Sequence, residues 1–368
     1  MRGTDDLNRL TGWLAERMPA ASDLRIENAD RITFGHSAEI TALALAWTED
    51  GTARRRDVVL RLCPPSPGLL EPYDMARQFT ILRALEPTAV RGPAVLWLDE
   101  SGDVLGRPFY VMAKVPGQVY EQHIPAELEA SPATIHRMTQ GIIEQLAAIH
   151  SVDPRERGLA GAGEGRTYLD DQLAHWSSEL CRVQKDRLPA LERLHEALVE
   201  RRPVPSERIT LVHGDVKPGN FAFEDGEVTG VFDWELAGIG DPLADIGYLE
   251  LFWNVPVHFT SRPAALAFED AISYYERLTG IPVRHRDWYR SFQTFKTCVI
   301  LLVGTMMFDS GASDDLRFAE MGLAIPHYTR AALQDLGVAS DLDPGPVRAS
   351  RERYREVRDR LAAASSAS

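Results

Sequence analysis

Two short runs concentrate the side chains that could do chemistry: Leu211 to Asn220, reading LVHGDVKPGN, and Val231 to Glu235, reading VFDWE. Asn220 follows Asp215 by five residues, and Asp233 comes after an intervening strand-turn-strand pattern. A carboxylate, an amide oxygen and a second carboxylate in that order suit phosphoryl transfer. One carboxylate orients the attacking hydroxyl, while an oxygen pair holds a magnesium ion. Magnesium takes hard oxygen ligands and keeps room for phosphate oxygens, which fits Asn220 and Asp233. A polar loop with a turn-forming Pro218-Gly219 and two capping carboxylates accounts for each residue singly but not for their joint spacing. A hydrolytic metal centre on His213, Asp215 and Asp233 lacks a second histidine cluster at ligand spacing.

Such loops need a scaffold that leaves a cleft. At 368 residues the chain suits two packed lobes, since single cores tend to split beyond roughly 250 to 300 residues. Between Arg31 and Met112 the pattern reads as strands with one helix. Glu39 to Thr48 and Asp57 to Leu62 are strand-like runs joined by Glu49, Asp50 and Gly51, an Asp-Gly hairpin signal. Met75, Phe79, Leu82 and Leu85 recur at helical steps, and Val95 to Leu98 and Phe109 to Met112 read as two more strands.

After Lys114 the pattern turns helical. Ser131 and Pro132 suit an N-cap and first turn, and Ile135, Met138, Ile142, Leu146 and Ile149 form one apolar stripe. Further helices are expected at Tyr168 to Val183, Pro189 to Arg201, Ala264 to Leu278, Asp287 to Phe308 and Leu316 to Leu336. Ile209 to Val212, Phe221 to Glu224 and Val228 to Asp233 read as short strands or loop edges. His150, ending the striped helix, reads as a satisfied helix-terminus histidine. Trp234, Tyr248, Phe252 and Trp253 read as wall and core. The fold class expected is α+β: an N-lobe over residues 1–113 with a small antiparallel sheet and one helix, and a helical C-lobe over 114–340. A C-terminal surface helix and tail occupy 341–368, with Val347, Tyr354, Val357 and Leu361 at helical spacing.

Forty Lys plus Arg against fifty-four Asp plus Glu give a net charge of −14, a field that disfavours nucleic acid. Three scattered cysteines, Cys63, Cys181 and Cys298, suggest neither a disulfide framework nor a metal site, and a reducing cytoplasmic setting is expected. Met1 to Ala20 lacks the apolar stretch of a signal peptide, with Leu7, Leu10, Leu14 and Met18 at helical spacing instead. The longest apolar run, Cys298 to Phe308, is too short to cross a bilayer, so no membrane role is expected.

The His-Gly-Asp-x-x-x-x-Asn loop and the Asp-Trp-Glu triplet resemble those of the aminoglycoside phosphotransferase-like kinases, over about residues 25 to 335. GDPLADIGYL at Gly240 to Leu249 looks like the branch related to the kinase domain fused to some acyl-CoA dehydrogenases. The resemblance implies a two-lobed protein-kinase-like fold and ATP, or alternatively GTP, with Mg2+. It makes Asp215 the catalytic base, places Lys217 near the transferred phosphoryl group and makes Asn220 and Asp233 the metal ligands. It gives His213 a backbone-organising role and Asp245 a bracing one.

In the first lobe it puts the phosphate-covering turn at Gly35, His36 and Ser37. Arg61 stands where many kinases have a phosphate-gripping lysine, and the adenine-binding hinge falls at Met112, Ala113 and Lys114. Gly214 replaces the arginine through which regulated protein kinases sense phosphorylation, which implies constitutive activity. Gln78 departs from the pattern, falling where the family helix carries a glutamate for the basic residue; Arg61 is then expected to use a neutral hydrogen bond, Glu71 or Asp74. That departure motivates a rival function, a nucleotide-binding regulatory module without transfer. The partner expected of the enzyme is a small-molecule hydroxyl acceptor. An antibiotic sugar, a sugar or amino alcohol and a hydroxyacyl metabolite stay open, as does the oligomeric state.

Overall fold

Residues 22 to 113 supply one antiparallel sheet of five strands: β1 (Ser22–Ile32), β2 (Glu39–Glu49), β3 (Thr52–Leu62), β4 (Val95–Asp99) and β5 (Phe109–Ala113). Their order is β1-β2-β3-β5-β4. The structure is a computed structural model that describes residues 4–32, 38–121, 123–159, 167–339 and 347–366. The expected hairpin forms between β2 and β3, with Glu49 opposite Thr52 and Glu39 opposite Leu62. Asp50 and Gly51 take φ of 48° and 70° there, as a two-residue turn between twisted strands requires. The edge strand β1 was not legible as a strand: it is largely exposed, its apolar residues do not alternate cleanly, and register shifts interrupt it.

Alternation along β3 separates the two faces of this sheet. Val58, Leu60 and Leu62 join Leu10, Trp13 and Leu14 of α1 (Thr4–Arg17) in one core. Val59 faces the other way, against Ile81, Leu82 and Leu85 of α2 (Met75–Leu85), and that second core runs on without a break into the helices that follow. Arg61, two residues on from Val59, shares its face and so is aimed at the junction of the lobes.

The second lobe contains α3 (Ala126–Glu129), α4 (Pro132–His150), α5 (Tyr168–Val183), α6 (Pro189–Glu200), α7 (Leu243–Trp253), α8 (Phe268–Thr279), α9 (Arg286–Ser310), α10 (Leu316–Met321) and α11 (Ile325–Asp335). Short strands β6 (Gln118–Val119), β8 (Phe221–Glu224) and β9 (Glu227–Val231) form one ribbon, and β7 (Thr210–Val212) pairs with β10 (Gly238–Gly240). Ser131 occupies the N-cap of α4, yet its hydroxyl meets that of Thr134 at 2.6 Å instead of a backbone amide. The single helix expected over 316 to 336 is broken: a 3-10 turn at Gly322–Ala324 separates α10 from α11, whose first turn holds Pro326. Glycine destabilises a helix interior and proline removes a donor there.

Helix α9 is long and apolar enough to cross a membrane by length and composition, which the shorter run read from the sequence was not. However, 83% of its apolar window is buried inside the protein. The last helix, α12 (Arg351–Ser366), is anchored to the lobe. Val357 is buried, and Arg353 bonds Phe308 O and pairs with Asp314.

Candidate active site

A cleft of about 350 Å³ opens between the sheet and the helical lobe. Val59, Arg61, Met112, Ala113 and Lys114 line it from the first lobe, and Asp215, Lys217, Asn220 and Asp233 from the second. Gly35, His36 and Ser37 lie outside the described residues.

The loop between β7 and β8 is held by a buried polar scaffold. Asp245, on the first turn of α7, accepts the amides of His213 and Gly214 at 2.8 Å each and meets His150 Nε2 at 3.0 Å. The other nitrogen of His150 meets the Tyr275 hydroxyl at 2.6 Å, so that histidine is satisfied internally. His213 Nε2 lies 2.8 Å from Phe232 O, a pure acceptor, so it carries the proton. Nδ1 then accepts from Asp215 N at 3.2 Å. Burial lowers the pKa of His213, against the pull of Asp245 and Asp215, so the ring is a neutral bracket. Gly214 adopts φ of +82°, and a Cβ there would collide with Leu236 O.

This scaffold presents Asp215 to the cleft. Asn220 Nδ2 donates to Asp215 Oδ2 at 2.7 Å and to Asp215 O at 2.7 Å, and Lys217 Nζ lies 3.3 Å from the same Oδ2. The Tyr248 phenol is a further hydrogen-bond partner of the Asp215 carboxylate. Burial alone would raise the Asp215 pKa, but Lys217, Tyr248, Lys296 and His213 hold it below the usual carboxylate range. Burial would likewise lower that of Lys217, yet Asp215, Asp233 and Glu121 raise it above the ordinary value.

Asn220 and Asp233 also fit a magnesium ion. The Asn220 amide nitrogen is committed to Asp215, which turns Oδ1 away from that contact, and Asp233 uses Oδ1 for Arg61, so Oδ2 is not part of that pair. Two hard oxygens beside a phosphate-sized opening suit a cation that takes few protein ligands. Asp233 sits in the left-handed region, at φ 63° and ψ 59°, an uncommon backbone state that aims the side chain at the cleft.

Arg61 is bound differently from the sequence expectation. Neither Glu71 nor Asp74 receives it. Asp74 caps α2 by accepting Arg77 N at 2.8 Å, and Gln78 faces the Tyr110 hydroxyl at 3.4 Å. Instead Arg61 Nη1 meets Asp233 Oδ1 at 2.8 Å and Nη2 meets Glu235 Oε2 at 3.0 Å. Burial works to lower the Arg61 pKa and is outweighed by Asp233, Tyr110 and Glu235. Its Nε is buried without a partner among the described residues, a donor suited to a phosphate oxygen.

At the hinge, Ala113 N donates to Ala94 O at 2.8 Å and Lys114 N to Asp57 O at 3.3 Å. Those two amides are therefore already committed within the protein. The residues that sequence reasoning passed over are Glu235, Tyr248 as a neighbour of Asp215, Glu121 on the cleft wall and Lys296 behind it. Lys296 did leave a signal, being a charge within the apolar pattern of a core helix.

Loops of a helical lobe facing an antiparallel sheet across a cleft define the kinase-like fold. The family profile described as the Phosphotransferase enzyme family (APH) matches residues 46–281, and the chain belongs to that family. Acyl-CoA dehydrogenase family member 10 of Mus musculus is 32% identical over 262 residues, 67% of this chain and 24% of that protein. The chain thus spans about a quarter of that relative's length. Viomycin phosphotransferase of Streptomyces vinaceus is 29% identical over 152 residues, 38% of this chain and 48% of that enzyme.

Among solved structures, a putative aminoglycoside phosphotransferase from Ralstonia eutropha JMP134 superposes with a TM-score of 0.71 at 22% identity, covering 90% of this chain and 98% of that one. A thermostable mutant of aminoglycoside phosphotransferase APH(4)-Ia, in ternary complex with ADP and hygromycin B, gives 0.56 at 18% identity, covering 89% and 98%. At these identities the superpositions speak to the fold alone.

Proposed function

We propose that the protein is a magnesium-dependent kinase that transfers the γ-phosphoryl group of ATP to a hydroxyl of a small molecule. The observation that carries this reading is the convergence of Asp215, Lys217, Asn220 and Asp233 on one cleft between the lobes, with Asn220 and Lys217 both at Asp215 Oδ2. In the reaction Asp215 orients the acceptor hydroxyl and takes its proton, as a new oxygen–phosphorus bond forms and the bond to the departing nucleoside diphosphate breaks. Lys217, beside the same carboxylate, offsets negative charge developing on the phosphoryl oxygens. Magnesium, when bound, neutralises phosphate charge, and Asn220 and Asp233 are the residues that would hold it. Arg61 grips nucleotide phosphates from the sheet. Met112, Ala113 and Lys114 wall the adenine end.

The regulatory-module reading drew its motive from Gln78. A carboxylate partner for Arg61 does exist in Glu235, which supports the enzymatic reading. The identity to the dehydrogenase-family proteins extends over more of the chain than that to viomycin phosphotransferase. On that ground we favour a hydroxylated acid or acyl metabolite as acceptor over an antibiotic. The three cysteines are free thiols, which fits the reducing cytoplasm.

Transfer of radiolabelled phosphate from ATP, screened over hydroxy acids, acyl thioesters, sugars, amino alcohols and aminoglycosides with and without magnesium, tests the proposal. A labelled product dependent on magnesium and lost in Asp215→Asn is expected. Tight nucleotide binding with no labelled product from any class would defeat the kinase reading in favour of the module.

A further inference from the structure

Nearly every charge at the cleft is met by a partner. Arg61 pairs with Asp233 and Glu235, and Lys217 pairs with Asp215. Behind the catalytic loop the buried Lys296 donates through Nζ to Gly214 O and lies 4.4 Å from the centroid of the Tyr248 ring. Glu121 is the exception. It lines the same cleft, partly buried, and its carboxylate makes no hydrogen bond or ion pair among the described residues. An acid withdrawn from water without a partner is costly, so a fold that keeps one at its cleft leaves it for a group that arrives there.

Strand pairing delivers that acid. Gln118 and Val119 of β6 lie opposite Phe223 and Ala222 of β8, so the chain two residues further on comes alongside the catalytic loop that precedes β8. The approach is close: a Cβ on Gly219 would stand 2.8 Å from Glu121 Cγ, and only a glycine there lets the carboxylate arm lie against the loop. The charged groups around Glu121 are Lys217 and Asp215 on that loop, Asp233 in the triplet and Arg317 on α10. Neither cation turns to it, because Lys217 is held by Asp215 and Arg317 is forked on Asp315.

We propose that Glu121 is a specificity-determining residue: it accepts a hydrogen bond from a second hydroxyl of the acceptor, next to the one that takes the phosphoryl group, and rejects acceptors with a carboxylate in that place. This rests on the function proposed above and narrows it. The acceptor is a diol at its reacting end, and the acid or acyl group favoured there lies at the far end of the molecule. A hydroxyl donating to a carboxylate makes one of the stronger hydrogen bonds. A carboxylate in the same place would face Glu121 and Asp215 as like charges and leave Glu121 without its donor. An ammonium would meet Lys217 as a like charge, which favours the neutral hydroxyl.

The test uses the full chain and three probes on one carbon skeleton: octane-1,2-diol, 1-aminooctan-2-ol and 2-hydroxyoctanoate. They place a hydroxyl, an ammonium and a carboxylate beside the same alcohol. Radiolabel transfer from MgATP gives kcat/KM for each, and the quantity read is the ratio between probes, in which a general loss of activity cancels. The wild type is expected to prefer the diol to the hydroxy acid by more than about tenfold. Glu121→Gln and Glu121→Ala are each expected to bring that ratio within about threefold of one.

A ratio in the variants equal to that of the wild type overturns the proposal, as does a wild type that uses the hydroxy acid as readily as the diol. Preference for the amino alcohol over the diol would put an ammonium beside Glu121 and overturns the choice of a hydroxyl. Should Glu121→Ala fail to fold, Glu121→Gln, which keeps the shape of the side chain, is read alone. If the wild type labels none of the probes, their dissociation constants on the protein loaded with magnesium and AMP-PNP are compared in the same way, and failure of the diol to bind overturns the proposal. Undiminished phosphate transfer by Asp215→Asn would instead sink the kinase reading, with the probe ratio in Glu121→Gln still deciding whether this carboxylate selects the acceptor.

Discussion

Arg61 and Glu235 meet at 3.0 Å across the cleft, the guanidinium delivered by β3 and the carboxylate by the turn after Asp233. Arg61 is 4% exposed and the Glu235 side chain 6%, so neither can be solvated if the other is removed. A pair that protein kinases build within the first lobe is built here between lobes. The carboxylate comes from the Asp-Trp-Glu triplet itself, which places Arg61 and the proposed metal ligand Asp233 in one cluster.

Removing the Glu235 charge should therefore weaken nucleotide binding far more than removing the Gln78 side chain. Glu235→Gln is expected to raise the MgATP dissociation constant more than about tenfold and to destabilise the protein by roughly 3 kcal/mol, the usual consequence of breaking a buried pair. Gln78→Ala should change that constant less than about threefold, because its side-chain hydrogen bond with Tyr110 is long. Calorimetry and thermal melts on the two variants decide the matter, and equal effects would return the role to α2.

Asp215→Asn should leave MgATP affinity nearly intact and lower turnover by about 10² to 10⁴, the range for a lost general base. Single-turnover phosphate transfer checks this. A loss confined to nucleotide affinity would reassign Asp215 to binding.

Asp233→Asn and Asn220→Ala should diverge in a diagnostic way. Asp233 holds Arg61 and has an oxygen to spare for a cation, so its loss should abolish the magnesium dependence of nucleotide binding. Asn220 also steadies the Asp215 carboxylate, so Asn220→Ala should lower turnover more than the weakened magnesium response accounts for. Titrating magnesium, or removing it with EDTA, in each variant separates the two.

Asp245 gives a pH signature of stability. Burial would raise its pKa, but bonds from His150 and from the His213 amide hold it below the ordinary value. A carboxyl lowered in the folded state contributes its stability above the unfolded value, about 3.9, and loses it as pH falls through the folded one. Asp245→Asn should cost roughly 3 kcal/mol at neutral pH and flatten the acid end of the stability curve. Denaturant melts across that range read the slope; an unchanged slope would assign the acid sensitivity to other carboxyls.

Much of the architecture could be read in advance where the deciding information was local. The Asp50-Gly51 turn, the stripe from Ile135 to Ile149 and the loop from His213 to Asn220 each act over a few residues, through turn conformation, helical period and spacing. The strands that escaped, β1, β6 and β10, are short or exposed and exist because a neighbouring strand supplies their hydrogen bonds. The break between α10 and α11 did carry a local sign, in Gly322 and Pro326, which the apolar period masked.

The sequence by itself determined the chemistry on offer: a carboxylate, an amide and a second carboxylate at spacings suited to metal-assisted phosphoryl transfer. The tertiary structure decided which charges answer one another. Arg61 and Glu235 stand 174 residues apart in the chain, and Gly214 and Lys296 stand 82 apart. No period or spacing encodes such pairs. They arise because packing excludes water from the junction of the lobes and from the core of α9, and a charge denied water must end beside whatever partner the fold brings to it.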